Sequence, residues 1–148
     1  GLLTPLLTLA QHFALANAPA ESREFVARAL GLSELLPYFG NQLSPGERRR
    51  ADLALAVLRA PVCLLADEPF QGIAPLDIDL ISAQLRVLRE RGCAIVITGH
   101  EIGPLFDSAD EVVWMTAGTT HVLGSVASAR AHHQFAREYL GPPRLPVT

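Results

Sequence analysis

The sequence predicts an α/β fold built around a parallel sheet, with helices ahead of it. Two short apolar runs, residues 62–66 and 93–98, read as strands, and residues 77–91 between them carry a helical pattern. A strand–helix–strand order with a connection of that length makes a parallel βαβ unit. The third observation is bulk. The chain has 148 residues, 49% of them hydrophobic, enough to bury the core of one domain.

The elements follow in order. Residues 1–40 read as helical. Thr4 before Pro5 reads as an N-cap with proline at the first helical position. Between 19 and 30, Phe25, Val26, Ala29 and Leu30 recur at helical spacing, and Gly31 is a natural stop. Residues 33–38 add a turn. The stretch "LSPGE", 43–47, opens a stronger helix whose apolar face is Leu53, Ala54, Val57 and Leu58, with Pro61 ending it. The run 62–66, closed by Asp67 and Glu68, fits a strand buried on both faces. Ile78, Ile81, Leu85 and Leu88 define the next helix, capped by Gly92. Residues 93–98 form a second buried strand that ends at Gly99, His100 and Glu101. A short helix to Phe106, hairpin strands 111–115 and 120–124 around Ala117 and Gly118, a terminal helix 128–139 and a tail, 141–148, complete the chain.

Several classes of function are disfavoured. The net charge is −3 with no basic face, which argues against a nucleic-acid partner. No apolar stretch is long enough to span a bilayer. The start lacks a positive segment and a cleavage site, so no signal peptide is expected, which favours the cytoplasm. Cys63 and Cys93 lie in or beside apolar runs and read as buried thiols. All twelve basic residues are arginine; the sequence contains no lysine.

Ligands of parallel sheets bind beyond the carboxyl ends of the strands. Both predicted strands finish there in polar residues, Asp67 and Glu68 on one and His100 on the other. One carboxylate can hold Mg²⁺ through water, and the next can deprotonate an attacking water. His100 can donate to a phosphoryl oxygen. Each residue alone is equally a polar strand end. At the mouth of the helix opened by "LSPGE", Ser44 supplies a hydroxyl, Gly46 an unobstructed N–H, and the helix its positive end. The same residues make an ordinary N-cap, and both readings stand at this point.

Together these segments resemble a known family. "LSPGERRR" is similar to the signature motif of ABC-type ATPases, usually Leu-Ser-Gly-Gly-Gln or -Glu. "CLLADEP" resembles their Walker-B strand, "FQGIAP" their D-loop and "ITGHE" their switch-histidine loop. The end "REYLG" resembles that of the subgroup holding branched-chain amino-acid importers and the lipopolysaccharide-export ATPase. The resemblance covers residues from about 3 to 141. It implies half of a P-loop NTPase (RecA-like) core, residues 41–148, behind a helical subdomain, residues 1–40. It implies ATP and Mg²⁺ as cofactors, with Asp67 serving Mg²⁺ through water, Glu68 as catalytic base and His100 sensing the γ-phosphate. Ser44, Gly46 and Glu47 would bind the γ-phosphate of a nucleotide held by a second ATP-binding subunit in a head-to-tail dimer. Residues 1–40 would contact a transmembrane permease, which places the protein in the cytoplasm, peripheral on the inner face of the membrane.

Three departures matter. Pro45 replaces the first signature glycine, and Ala74 stands where many members have the D-loop aspartate. The phosphate loop G-x-x-x-x-G-K-[ST] is absent. The chain therefore reads as the second half of such a domain and is expected not to hydrolyse ATP alone. The competing expectation is a non-catalytic half-domain that binds and completes or regulates a partner ATPase. A chromosome-maintenance ATPase would need a long coiled coil, and residues 1–40 are too short and too interrupted for one.

Overall fold

The computed structural model describes residues 2–141, in two compact units divided after His100. The first unit runs α1 (Leu9–Leu15), α2 (Ala20–Ala29), α3 (Pro45–Leu58), β1 (Cys63–Asp67), α4 (Pro75–Glu90) and β2 (Ala94–Thr98). Short 3-10 turns at Ser33–Leu35 and Gly40–Gln42 link α2 to α3. The second unit holds α5 (Ile102–Ser108), β3 (Val112–Thr116), β4 (Thr119–Gly124), α6 (Val126–Ala131), α7 (His133–Phe135) and a π-helical turn, Ala136–Leu140.

The first helix starts later than expected. Thr8 caps α1: its hydroxyl accepts from the Gln11 N–H at 3.3 Å, and Gln11 Oε1 accepts from the Thr8 N–H at 2.8 Å. Thr4 and Pro5 instead enter a turn, with the Thr4 N–H donating to His12 Nε2 at 2.9 Å. The buried face of α2 is Val26, Ala27 and, just past its end, Leu30. Phe25 is 51% exposed, because the helix's close contact with α3 falls on the adjacent stripe. Gly31 follows at φ +62°, a left-handed stop.

β1 and β2 pair in parallel, from Cys63 opposite Ala94 to Asp67 opposite Thr98. Leu64 and Ile95 pack into the core with α3 and α4, which share that side. The strands are not buried on both faces as the sequence suggested. Leu65 and Val96, paired across the sheet, are 75% and 54% exposed. An unbroken apolar run hides the two-residue alternation that distinguishes a half-covered strand. Cys63 shares the exposed face, whereas Cys93 is buried. One cluster joins Leu9, Phe13, Leu30 and Leu32 to Ala51, Ala54, Leu58 and Leu88, so the N-terminal helices share a core with the βαβ unit.

In the second unit, β3 and β4 form the expected hairpin. Ala117 and Gly118 both take positive φ, 48° and 75°, as a two-residue turn matched to strand twist requires. Trp114, Phe106, Phe135 and Ala129 form its core. The expected helix 128–139 is broken at His132, which is extended and caps α7 by accepting from the Phe135 N–H at 3.3 Å. Of the expected tail, residues 142–148 lie outside the described residues. Among the described residues, no helix is long and apolar enough to cross a membrane.

Candidate functional site

The parallel register puts Asp67 and Thr98 side by side at the carboxyl ends of β1 and β2. The Thr98 hydroxyl donates to Asp67 Oδ1. The next N–H along β1, that of Glu68, reaches both the Thr98 carbonyl and its hydroxyl, each at 3.2 Å. Thr98 thus ties down both acidic residues. Glu68 has φ +49°, a left-handed conformation that costs a non-glycine residue about 1–3 kcal/mol and that packed surroundings must enforce. The kink turns the chain off the strand axis just as the two acids follow one another. His100 Nδ1 lies 3.1 Å and 3.3 Å from the two Glu68 carboxylate oxygens. Both side chains remain open to water, 55% for His100 and 34% for Glu68.

Such a pair can hold and pass a proton. A half-exposed carboxylate beside an imidazole accepts a proton from water, while the imidazole N–H fixes which way the carboxylate faces. Among the described residues no three His, Cys, Asp or Glu side chains gather as a metal cage. Mg²⁺ needs none, since it keeps most of its water and takes one or two carboxylates. Asp67, an exposed hard oxygen donor beside a hydroxyl, fits that demand.

The Ser44 turn is built differently. Ser44 is the N-cap of α3 and Pro45 its first residue. The Ser44 hydroxyl accepts from the Glu47 N–H at 3.3 Å, and Glu47 Oε2 accepts from the Ser44 N–H at 2.7 Å. That backbone bond, helped by the Ser44 hydroxyl and by Arg50, holds the Glu47 carboxyl below the usual glutamate range despite partial desolvation. Pro45 has no N–H, so the first-turn donor left without a partner among the described residues is that of Gly46. The Ser44 O–H also keeps its proton to give. Beside the turn lies a cleft of about 420 Å³ lined by Pro45, Arg48, Arg49, Asp52 and Gln71. The cap is therefore real, and it leaves two donors at the helix mouth for an anion.

The structure brings Asp67, Glu68 and His100 together at the strand ends and keeps Ser44, Gly46 and Glu47 together on α3. Two further residues were not singled out from sequence: Arg50 and Asp77. Arg50 is buried on the core side of α3, and its Nε lies 2.6 Å from Asp77 Oδ1. The spacing 50, 54, 58, with arginine on an otherwise apolar stripe, was the available signal for it.

No protein-family profile matches the chain. Individual proteins do. The lipopolysaccharide export system ATP-binding protein LptB of Haemophilus influenzae is 31% identical over 121 residues, covering 82% of this chain and 50% of that protein. The zinc import ATP-binding protein ZnuC of Halorhodospira halophila is 32% identical over 151 residues, covering 89% and 58%. The chain belongs to the family of ABC transporter ATP-binding proteins. It spans about half the length of the curated relatives it matches. The solved ATP-binding subunit of an ABC transporter shares its fold, with a TM-score of 0.74 at 23% identity over 93% of this chain and 61% of that one. The α/β P-loop NTPase architecture expected from the ABC motifs is thus the fold observed, and the lipopolysaccharide-export subgroup is among the relatives.

Proposed function

We propose that this chain is the signature and Walker-B half of an ATP-hydrolysing subunit that powers transport through a membrane partner. The observation that carries the proposal is the cluster of Asp67, Glu68, Thr98 and His100 at the ends of adjacent parallel strands. In it, Glu68 takes the proton of the attacking water and His100 orients Glu68 and meets the γ-phosphate. Asp67 holds Mg²⁺ through water, and that ion, when bound with ATP, neutralises charge on the phosphate oxygens. Ser44 and Gly46 donate to the γ-phosphate of a nucleotide on a second ATP-binding subunit, in a head-to-tail dimer, with Glu47 securing the turn.

The bare face of Leu65 and Val96 supports a sheet that a phosphate-loop segment completes, since this chain has neither that motif nor a lysine. Residues 1–40 are the helical subdomain, and their exposed Leu6, Leu15 and Phe25 suit contact with a permease. The protein then works in the cytoplasm, peripheral on the inner face of the membrane. The same bare face favours a second reading, a non-catalytic half-domain that completes or regulates a partner ATPase docked on it.

The chain alone is expected to release no phosphate from ATP beyond a Glu68→Gln control. Joined to a phosphate-loop segment, it is expected to hydrolyse ATP, and Glu68→Gln to slow that by about 10²–10⁴-fold with ATP binding kept. On that background ATP drives dimerisation, read by size-exclusion chromatography, and Ser44→Arg abolishes it. Turnover near wild type in Glu68→Gln removes Glu68 as base; normal dimerisation of Ser44→Arg reduces the turn to a helix cap.

A further inference from the structure

Gly46 takes no positive φ, so its backbone does not call for glycine. Its surroundings do. A Cβ placed at Gly46 would run into Oδ2 of Asp77 and sit 2.9 Å from its Cγ. Asp77 cannot simply swing aside, because its Oδ1 is held 2.6 Å from Arg50 Nε. Arg50 is itself pinned: its Nη1 donates to the Leu30 carbonyl and to the Gly31 carbonyl, the latter at 3.0 Å. The side chains of Arg50 and Asp77 are only 11% and 16% exposed. One ion pair therefore joins the end of α2, the first turns of α3 and the first turn of α4, and its carboxylate lies against the residue whose N–H is the open donor of the Ser44 turn.

We propose that Asp77 is a positioning residue for that turn: through Arg50 and by contact with Gly46, it fixes where Ser44 and the Gly46 N–H present themselves to a phosphate. This rests on reading the turn as a γ-phosphate contact. Asp77 touches no substrate. It links the turn to the segment that leaves the catalytic strand end, since α4 begins seven residues after Glu68. A buried pair whose arginine is tied to two carbonyls resists displacement, and the absence of a side chain at Gly46 is the space its carboxylate needs.

The test uses the full 148-residue chain, isotope-labelled, and NMR signals of the Gly46 amide and the Arg50 Nε–H. Leu9 and Leu88 methyl signals report that the core is intact. Asp77→Asn is expected to move the Gly46 amide and to shift the Arg50 Nε–H resonance, because the carboxylate charge 2.6 Å from Nε is lost. Gly46→Ala is expected to shift the Arg50 Nε–H resonance in the same direction, because its methyl displaces the carboxylate. In an Asp77→Ala background, Gly46→Ala then adds no further change, a coupling that general loss of stability does not produce. A Gly46 signal unmoved by Asp77→Asn, or an Arg50 Nε–H resonance unmoved by Gly46→Ala, overturns the proposal.

Titration with Mg-ATP in the presence of an unlabelled ATP-binding subunit that carries a phosphate loop separates the proposal from the reading beneath it. Ser44 and Gly46 amides that respond in wild type, and respond about fivefold more weakly in Asp77→Asn, support both. An equal response in the two overturns the positioning role alone. No response in wild type removes the phosphate reading and this role with it, while the Gly46 and Arg50 shifts in the variants still decide whether the clamp exists.

Discussion

Helices α3 and α4 begin on one plan and bond differently. Each has proline as its first residue and an acid as its third, Glu47 in α3 and Asp77 in α4. They differ in the residue before proline, Ser44 in one and Ala74 in the other, although both positions have the extended backbone of a cap. Where a hydroxyl is present, the acid folds back onto its own helix and closes a capping box. Where it is missing, the acid reaches across to Arg50 on the neighbouring helix. A self-contained start and a start that serves a neighbour thus differ by one side chain, and the second kind transmits position between elements.

The largest expected effect breaks the outward-reaching start. Arg50→Ala strands the Asp77 carboxylate and two carbonyls, and is expected to cost about 3 kcal/mol in urea unfolding. A cost within experimental error of zero would mean that α4 is not held through this pair. Next comes Ser44→Ala, which removes the α3 cap and is expected to cost about 1 kcal/mol. The reverse change, Ala74→Ser, sharpens the comparison. It supplies a hydroxyl where the backbone is ready, and is expected to stabilise by less, about 0.5 kcal/mol, because the third-position acid is already committed to Arg50. A gain as large as the Ser44 loss would show that Asp77 abandons Arg50 for its own helix.

The smallest effect is in pH. The Glu47 carboxyl is held below its ordinary value of 4.5, first by the Ser44 backbone N–H. A lowered folded pKa adds stability that is complete above the ordinary value and is lost as pH falls through the lowered one. Glu47→Gln is therefore expected to be less stable than wild type near neutrality and to lose less on acidification. Parallel stability-against-pH curves for the two proteins would detach Glu47 from the cap.

Much of this was legible in the sequence, and the exceptions have physical causes. The α3 start, the βαβ unit and the Ala117–Gly118 turn were readable because proline, short apolar strand runs and a glycine-bearing turn leave local marks. Asp67, Glu68 and His100 were readable because polar residues closed apolar runs. The α1 start was misplaced because Thr4-Pro5 and Thr8 both look like caps, and only the Gln11 return bond decides. The kink at Glu68 has no local mark at all, since the αL region disfavours every residue but glycine and is enforced here from outside. The partner of Arg50 lies 27 positions away on another helix, beyond any pattern of spacing.

The open face of β1 carries one more consequence. Cys63 lies on it, two residues before Leu65, while Cys93 is enclosed in the core. Thiol chemistry is governed by access as well as acidity. A maleimide dye thus has a single ready attachment point, set by the fold and not by engineering, on the surface whose covering is in question. Its emission would shift when another polypeptide settles over Leu65 and Val96, so the wild-type chain comes with its own optical gauge for the assembly of the sheet.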